Sequence, residues 1–371
     1  AVHGASRRSD RPGQARGCGE QMSNANTSVT DSLRRAGPRG SLAPMTEMSE
    51  RQLMTRAAWL YYVGGLNQEG TARRLGLTRA RVNRLLGQAR EAGLVSIAIN
   101  DRDVGLLPVE EALRRAFGLD FVTATPALGP APEEGSPALA EFPLRAVGTA
   151  GAQLLRAWLA GQGDLVVGTG WGRTLAHLSR QMSGVTAPRA RFTSLMGSLT
   201  ANSAFNPFEV VQSLAQATGG EGFFLPVPFI ADSPADRDVL LAQRVVARPL
   251  ELARAADLAL ISVGELTEQS LLRRQGMIGA AELAELRAAG AVGDTNGIFF
   301  DADGQPVDHP LNARTLAVGF PELRRATTVL LAAGVAKVPA TRALLRSGVA
   351  RGLVIDGDAA LELHRLVAAQ G

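Results

Sequence analysis

Gln68-Glu69-Gly70-Thr71-Ala72-Arg73-Arg74-Leu75-Gly76-Leu77-Thr78-Arg79-Ala80-Arg81-Val82-Asn83-Arg84-Leu85-Leu86 is the stretch on which the reading of this chain turns. A helix-turn-helix needs a small residue where its helices cross and a turn residue that tolerates positive φ. It also needs apolar residues that seat the second helix on the first. Ala72, Gly76, Val82 and Leu85 stand at those places. Asn67 suits the N-cap of the first helix, Gln68–Leu75, and Thr78 that of the second, which runs to about Ala92. With the apolar face turned inward, Thr78, Arg79, Arg81, Asn83 and Arg84 fall on or near the outer face. Arg can pair with guanine and Asn with adenine in the major groove, so these five are the expected DNA-reading residues. An arginine-rich hairpin packed on the rest of the chain is the alternative. Gly70 costs the first helix on the order of 1 kcal/mol.

The surrounding charge favours a polyanion partner for one end of the chain only. Residues 51–100 carry eight Arg and two acids, whereas residues 101–371 carry 24 basic and 28 acidic residues. Upstream, Glu50–Val63 has a helical apolar period through Leu53, Met54, Ala57, Ala58, Leu60 and Tyr61, stopped at Gly64-Gly65. Downstream, Leu94–Asn100 alternates like a strand. The DNA-binding domain is therefore expected over 49–100. Residues 1–48, rich in Gly, Ser, Arg, Asn, Thr and Pro without an apolar period, are expected to form a disordered tail.

From about residue 104 the pattern changes to apolar runs of strand length alternating with amphipathic segments. The runs are 121–124, 165–168, 192–196, 258–263, 316–318, 328–331 and 353–355. Helices are expected over 143–159, 236–256, 280–289 and 357–369, and a Pro-rich loop over 126–137. This is the signature of an α/β domain with a mainly parallel sheet, here spanning 104–371.

Composition narrows the function classes. Of 371 residues, 46% are hydrophobic, yet no stretch approaches the apolar length of a membrane helix. The single cysteine, Cys18, excludes an internal disulfide, and the four histidines have no ligand spacing. No metal or cofactor is expected, and a cytoplasmic home is the natural reading.

After the strand at 165–168 comes Gly168-Thr169-Gly170-Trp171-Gly172-Arg173-Thr174, then an amphipathic helix. Such a turn exposes backbone N–H groups at a helix N-terminus, which suits a phosphate, with Thr169, Arg173 and Thr174 as further donors. It lacks the Walker Gly-Lys-Ser/Thr ending and the third glycine of Gly-x-Gly-x-x-Gly. Glycine is equally at home in βα turns that bind nothing. Gly197-Ser198, Asn206, Glu265, Gly293–Gly297 and Gly334–Lys337 also fall near expected strand ends, where parallel sheets bind ligands. Lys337 is the only lysine in the chain. Taken singly, Asp294 reads equally as a turn former and Lys337 as a solvated helix start.

Together these residues resemble the SorC family of bacterial sugar-responsive transcriptional regulators over about 51–368. The resemblance rests on 57–62, 65–69, 72–79, 82–86 and 89–95 in the first part. In the second it rests on 168–175, 290–294, 299–304, 312–314, 333–337, 343–345 and 353–356. It implies a domain similar to the glucosamine-6-phosphate deaminase and ribose-5-phosphate isomerase folds, operator DNA as partner, and a homo-oligomer, typically a tetramer. It also implies a phosphorylated sugar, or sometimes a free one, as effector, and a phosphorylated sugar or polyol is the expectation here. By similarity the phosphate is expected at Gly168–Thr174, with Asp294 and Lys337 facing sugar hydroxyls or phosphate; Gly197, near an expected strand end, is counted with the site. A sugar-phosphate isomerase or deaminase is the competing reading, because fold alone does not assign function. The helix-turn-helix, and the absence of a histidine among the glycine-rich loops, weigh against it.

Overall fold

The computed structural model describes residues 49–95, 97, 105–129, 140–161, 164–198 and 206–369. The expected tail over 1–48 lies outside them. From Glu50 onward the chain clusters as one unit.

Three helices open it: α1 (Glu50–Ala58), α2 (Gln68–Leu75) and α3 (Arg79–Glu91). A π-helical turn, Trp59–Val63, extends α1 to the Gly64-Gly65 stop. The Asn67 side chain accepts from Gly70 N–H at 2.8 Å, so the low-propensity glycine sits where a cap compensates. Gly76 is left-handed (φ 64°), and Thr78 Oγ1 accepts from Arg81 N–H. Ala57, Ala72, Leu75, Val82, Leu85 and Leu86 form the apolar core of the three helices. Burial of this seam supplies most of the drive that holds such short helices together.

Seven parallel strands form the main sheet, in the order β1-β10-β9-β5-β2-β3-β4. Their ranges are β1 Phe121–Ala124, β2 Val166–Thr169, β3 Arg191–Ser194, β4 Glu221–Phe223, β5 Leu258–Ser262, β9 Thr327–Ala332 and β10 Gly352–Ile355. The central strands are buried along their length, as a parallel sheet covered on both faces requires. One apolar cluster packs the helix Phe142–Gly161 and the helix Pro207–Thr218 on one face. A second packs the helices Leu107–Phe117, Val338–Arg346 and Gly357–Ala368 on the other.

Several sequence expectations need correction. Leu316–Val318 is not a strand: Ala317 and the preceding Thr315 make only isolated antiparallel bridges, to Met196 and Ile230, and no continuous ladder forms. The helix expected over 236–256 is two, Pro234–Leu241 and Arg244–Arg254, divided where Gln243 turns extended (ψ 134°). Leu94, Val95 and Ile97 are not in a strand, and the rest of 94–100 lies mostly outside the described residues. Of the Pro-rich loop, residues 126–129 are described and lack regular structure. A small antiparallel sheet was not expected: β6 (Gly264–Glu265), β7 (Gly293–Thr295) and β8 (Ile298–Phe300).

Candidate functional site

β2 and β5 are neighbours, but the chain leaves β2 toward β3 and β4 and leaves β5 toward β9 and β10. At such a switch point the connecting segments diverge and a crevice opens at the carboxyl ends of the strands. A cleft lies there. Its walls are Trp171–Thr174 after β2, Ser262–Glu265 after β5, Asp294 and Asn296 from the β7–β8 hairpin, and Lys337 after β9.

The Trp171–Thr174 wall is a helix start. Gly172, at φ 118°, has a conformation that side chains disfavour, and it begins the helix Arg173–Arg180 without a side-chain cap. The N–H groups of that helix's first turn have no intrahelical acceptor and carry the positive end of its dipole. Thr174 is buried at this end, and Ser262 Oγ fixes the turn by donating to the Trp171 carbonyl at 2.8 Å.

The opposite wall bears carboxylates. Asp294 is buried, and its Oδ2 accepts from Gly297 N–H at 3.2 Å. Burial pushes its carboxyl up to about 6, opposed by the Gly297 bond and Lys337 and reinforced by Glu265. Gly264, the register partner of Asp294, leaves room that a Cβ would take from Asp294 Oδ1. Lys337 Nζ lies 3.8 Å from Glu265 Oε2, and burial lowers its pKa, with Glu265 working against the shift. Lys337 is thus a sequestered, paired cation and not a solvated helix start.

The hairpin corrects the reading of Gly293–Gly297 as one loop. Asp294 is on strand β7, and the turn is Asn296-Gly297, with φ of 50° and 75°. Asn-Gly is the pair a two-residue hairpin turn prefers, a signal that was present in the sequence.

Trp171, Gly172, Arg173, Thr174, Asp294 and Lys337 therefore share one cleft. Gly168, Thr169, Gly170 and Gly197 do not line it. A Cβ on Gly168 would collide with Leu195, so that glycine serves close packing between β2 and β3. Thr169 is fully buried, and Gly170 N–H is spent on the Leu260 carbonyl. Gly197 backs onto the carbonyls of Val227 and Pro228. Glu265 and Asn296, which the sequence placed near expected strand ends without a specific role, join the cleft.

On α3, Thr78, Arg79, Asn83 and Arg84 are exposed. Arg81 is less exposed than these four and is paired with Glu50. Gln68 links two of the expected readers: its Nε2 donates to Asn83 Oδ1 at 3.1 Å, and its Oε1 accepts from Arg79 Nε at 3.3 Å.

A family model described as "Putative sugar-binding domain" matches residues 102–364. The erythritol catabolism regulatory protein EryD of Brucella abortus is 37% identical over 308 residues, 83% of this chain and 95% of EryD. The chain belongs to the SorC family. The transcriptional regulator LsrR of Escherichia coli K12 is 31% identical over 324 residues, 86% of this chain and 96% of LsrR. The full-length sorbitol operon regulator SorC from Klebsiella pneumoniae has the same fold, with a TM-score of 0.62 at 24% identity over 84% of this chain and 98% of that one. As a SorC-family protein the chain is a sugar-responsive transcriptional regulator and not an isomerase or deaminase. Among the described residues no helix is long and apolar enough to cross a membrane.

Proposed function

We propose that this regulator binds operator DNA through residues 49–100, with α3 as the reading helix, and that a phosphorylated sugar or polyol in the β2/β5 cleft modulates that binding. The observation that carries the effector half is the cleft itself. An uncapped helix N-terminus with Arg173 on one side faces Glu265, Asp294 and Lys337 on the other. The first side suits an anion and the second suits hydroxyl groups. The name of the 37% identical relative, a regulator of erythritol catabolism, supports a polyol. The exposed Arg79, Asn83 and Arg84, together with the basic balance of 51–100, support the DNA half. The isomerase and deaminase likeness of the α/β domain belongs to the same reading.

A single helix-turn-helix covers half an operator, so residues 104–371 are assigned oligomerisation as well, to a dimer or tetramer. The test is a gel-shift on the adjoining intergenic DNA with and without sugar and polyol phosphates, paired with sedimentation. DNA binding that no such compound alters removes the effector assignment. A 39 kDa species alone at micromolar concentration removes the oligomer.

A further inference from the structure

Asn296 lines the cleft and bears a buried amide with an unpaired donor. It is almost fully buried, at 2% exposure, and its Nδ2 has no hydrogen-bond partner. Both atoms of a carboxamide compete for partners, and a buried donor left unmade costs about 1–3 kcal/mol. Buried polar groups are nearly always paired, so an orphan on a cleft wall points to something that arrives there.

The surroundings hold this amide in place. Its backbone is left-handed (φ 50°) because Asn296 is the first residue of the hairpin turn, and Asn tolerates that conformation where most side chains do not. Its Oδ1 occupies the space a Cβ on Gly170 would claim. Gly170 is therefore glycine for the sake of Asn296, although it stands outside the cleft wall. The hairpin also carries Asp294, and Thr295 Oγ1 ties it to β5 by donating to the Ser262 carbonyl at 2.8 Å. The amide is thus fixed beside the carboxylates, away from free solvent.

We infer that Asn296 is a specificity-determining residue of the effector site, taking a hydroxyl of the effector's polyhydroxy body while the anionic group lies at Gly172–Thr174. This rests on the effector reading above and adds to it an orientation. The body, not the phosphate, faces the β7–β8 hairpin, because a second anionic group there would meet Glu265 and Asp294, and the one cation beside them among the lining residues, Lys337, is already paired with Glu265. The cleft therefore takes a monophosphate of a sugar or polyol and disfavours a bisphosphate.

The test uses Asn296→Gly, which keeps a residue suited to positive φ in the turn and deletes only the amide. Trp171 in the cleft wall offers a fluorescence readout. Full-length wild type and variant are titrated with tetritol and pentitol monophosphates, with a pentitol bisphosphate, and with inorganic phosphate as the probe that has no hydroxyl body. Expected is a loss of about tenfold in affinity for the monophosphates, the worth of one hydrogen bond to a buried donor, with inorganic phosphate affinity and effector-free operator binding unchanged. Equal affinities of wild type and variant for the monophosphates overturn the Asn296 assignment and leave the effector reading standing. Bisphosphate binding tighter than monophosphate binding overturns the orientation. If wild type binds none of the phosphates, the effector reading falls and the assignment falls with it.

Discussion

The ammonium of Lys337 lies 3.8 Å from the carboxylate of Glu265, across the gap between the turn after β9 and strand β6. Each side chain is about one-fifth exposed, so the pair is largely withdrawn from water. A hydroxyl of a ligand in the cleft competes with Glu265 for that ammonium. Lys337→Ala leaves the Glu265 carboxylate without its partner and removes a donor from the cleft. A charge-assisted hydrogen bond is worth about 1.5–3 kcal/mol, so the effector concentration for half-maximal response should rise roughly 10- to 100-fold. Operator binding without effector should stay within about twofold, because α3 is untouched. Titration of sugar phosphates with operator binding as readout measures both. An unchanged midpoint removes Lys337 from the site.

Asp294 gives the protein a pH signature. Its carboxyl, ordinarily at 3.8, titrates at about 6 because it is buried. Between those values the native state keeps a proton that the unfolded chain has released, so unfolding releases a proton and stability falls as pH rises. The loss is complete above about 6. Asp294→Asn has no such proton. Its stability relative to wild type should therefore climb by up to ~3 kcal/mol between about pH 4 and pH 7, the energy equivalent of the shift. Urea unfolding of both proteins across that range tests it. A difference that stays constant with pH shows that Asp294 does not titrate there.

Much of this molecule was legible in the sequence, for identifiable reasons. Asn67, Gly76 and Thr78 placed the bounds of α2 and α3 because caps and a left-handed turn are local chemistry. Each of those contacts spans three or four residues. The buried parallel strands announced themselves as uninterrupted apolar runs. What escaped was non-local. Strand β6 is two residues long, and its pairing with β7 joins residues 264 and 294, which no period within either segment reveals. The glycines at 168, 170 and 197 looked alike in sequence to the one at 172. They differ in what a Cβ would meet, and only packing shows that Gly172 opens a helix while the others make room for neighbours. Glu265 stood out only by its place near an expected strand end, and its pairing with Lys337, 72 residues away, is not visible in the sequence.

The exposed arginines of α3 should separate base reading from phosphate attraction. Arg79 is near the N-terminus of α3, where a reading helix concentrates its base contacts, and it is held by Gln68. Arg79→Ala should cost on the order of 1–3 kcal/mol at the operator and relax preference for one base pair. A residue that touches only phosphate weakens all sequences alike and lowers the salt slope by about one. Competition binding at several salt concentrations, on operator and scrambled DNA, assigns Arg79 and Arg84 to one kind or the other. Effects of both substitutions that are absent at every salt concentration would remove α3 as the reading helix.

Arg81 is a different case, because α1 already holds it. Its guanidinium is paired with Glu50, and both side chains are substantially exposed, at 38% and 45%. An exposed pair of this kind contributes only about 0–1 kcal/mol to folding, so it is weak as a staple. If α3 reads DNA as proposed, the pair's effect there is larger, since Glu50 puts a negative charge beside that helix, where phosphates would approach. Glu50→Gln removes that charge and frees Arg81 while keeping α1 intact. Affinity should rise by roughly 0.3–1 kcal/mol for operator and scrambled DNA alike, with a steeper salt dependence, because one more cation is free to displace counterions. Arg81→Ala should move affinity the other way. If Glu50→Gln instead weakens operator binding and leaves scrambled DNA unchanged, the Glu50 carboxylate is orienting Arg81 toward a base edge, and Arg81 belongs with the readers of sequence.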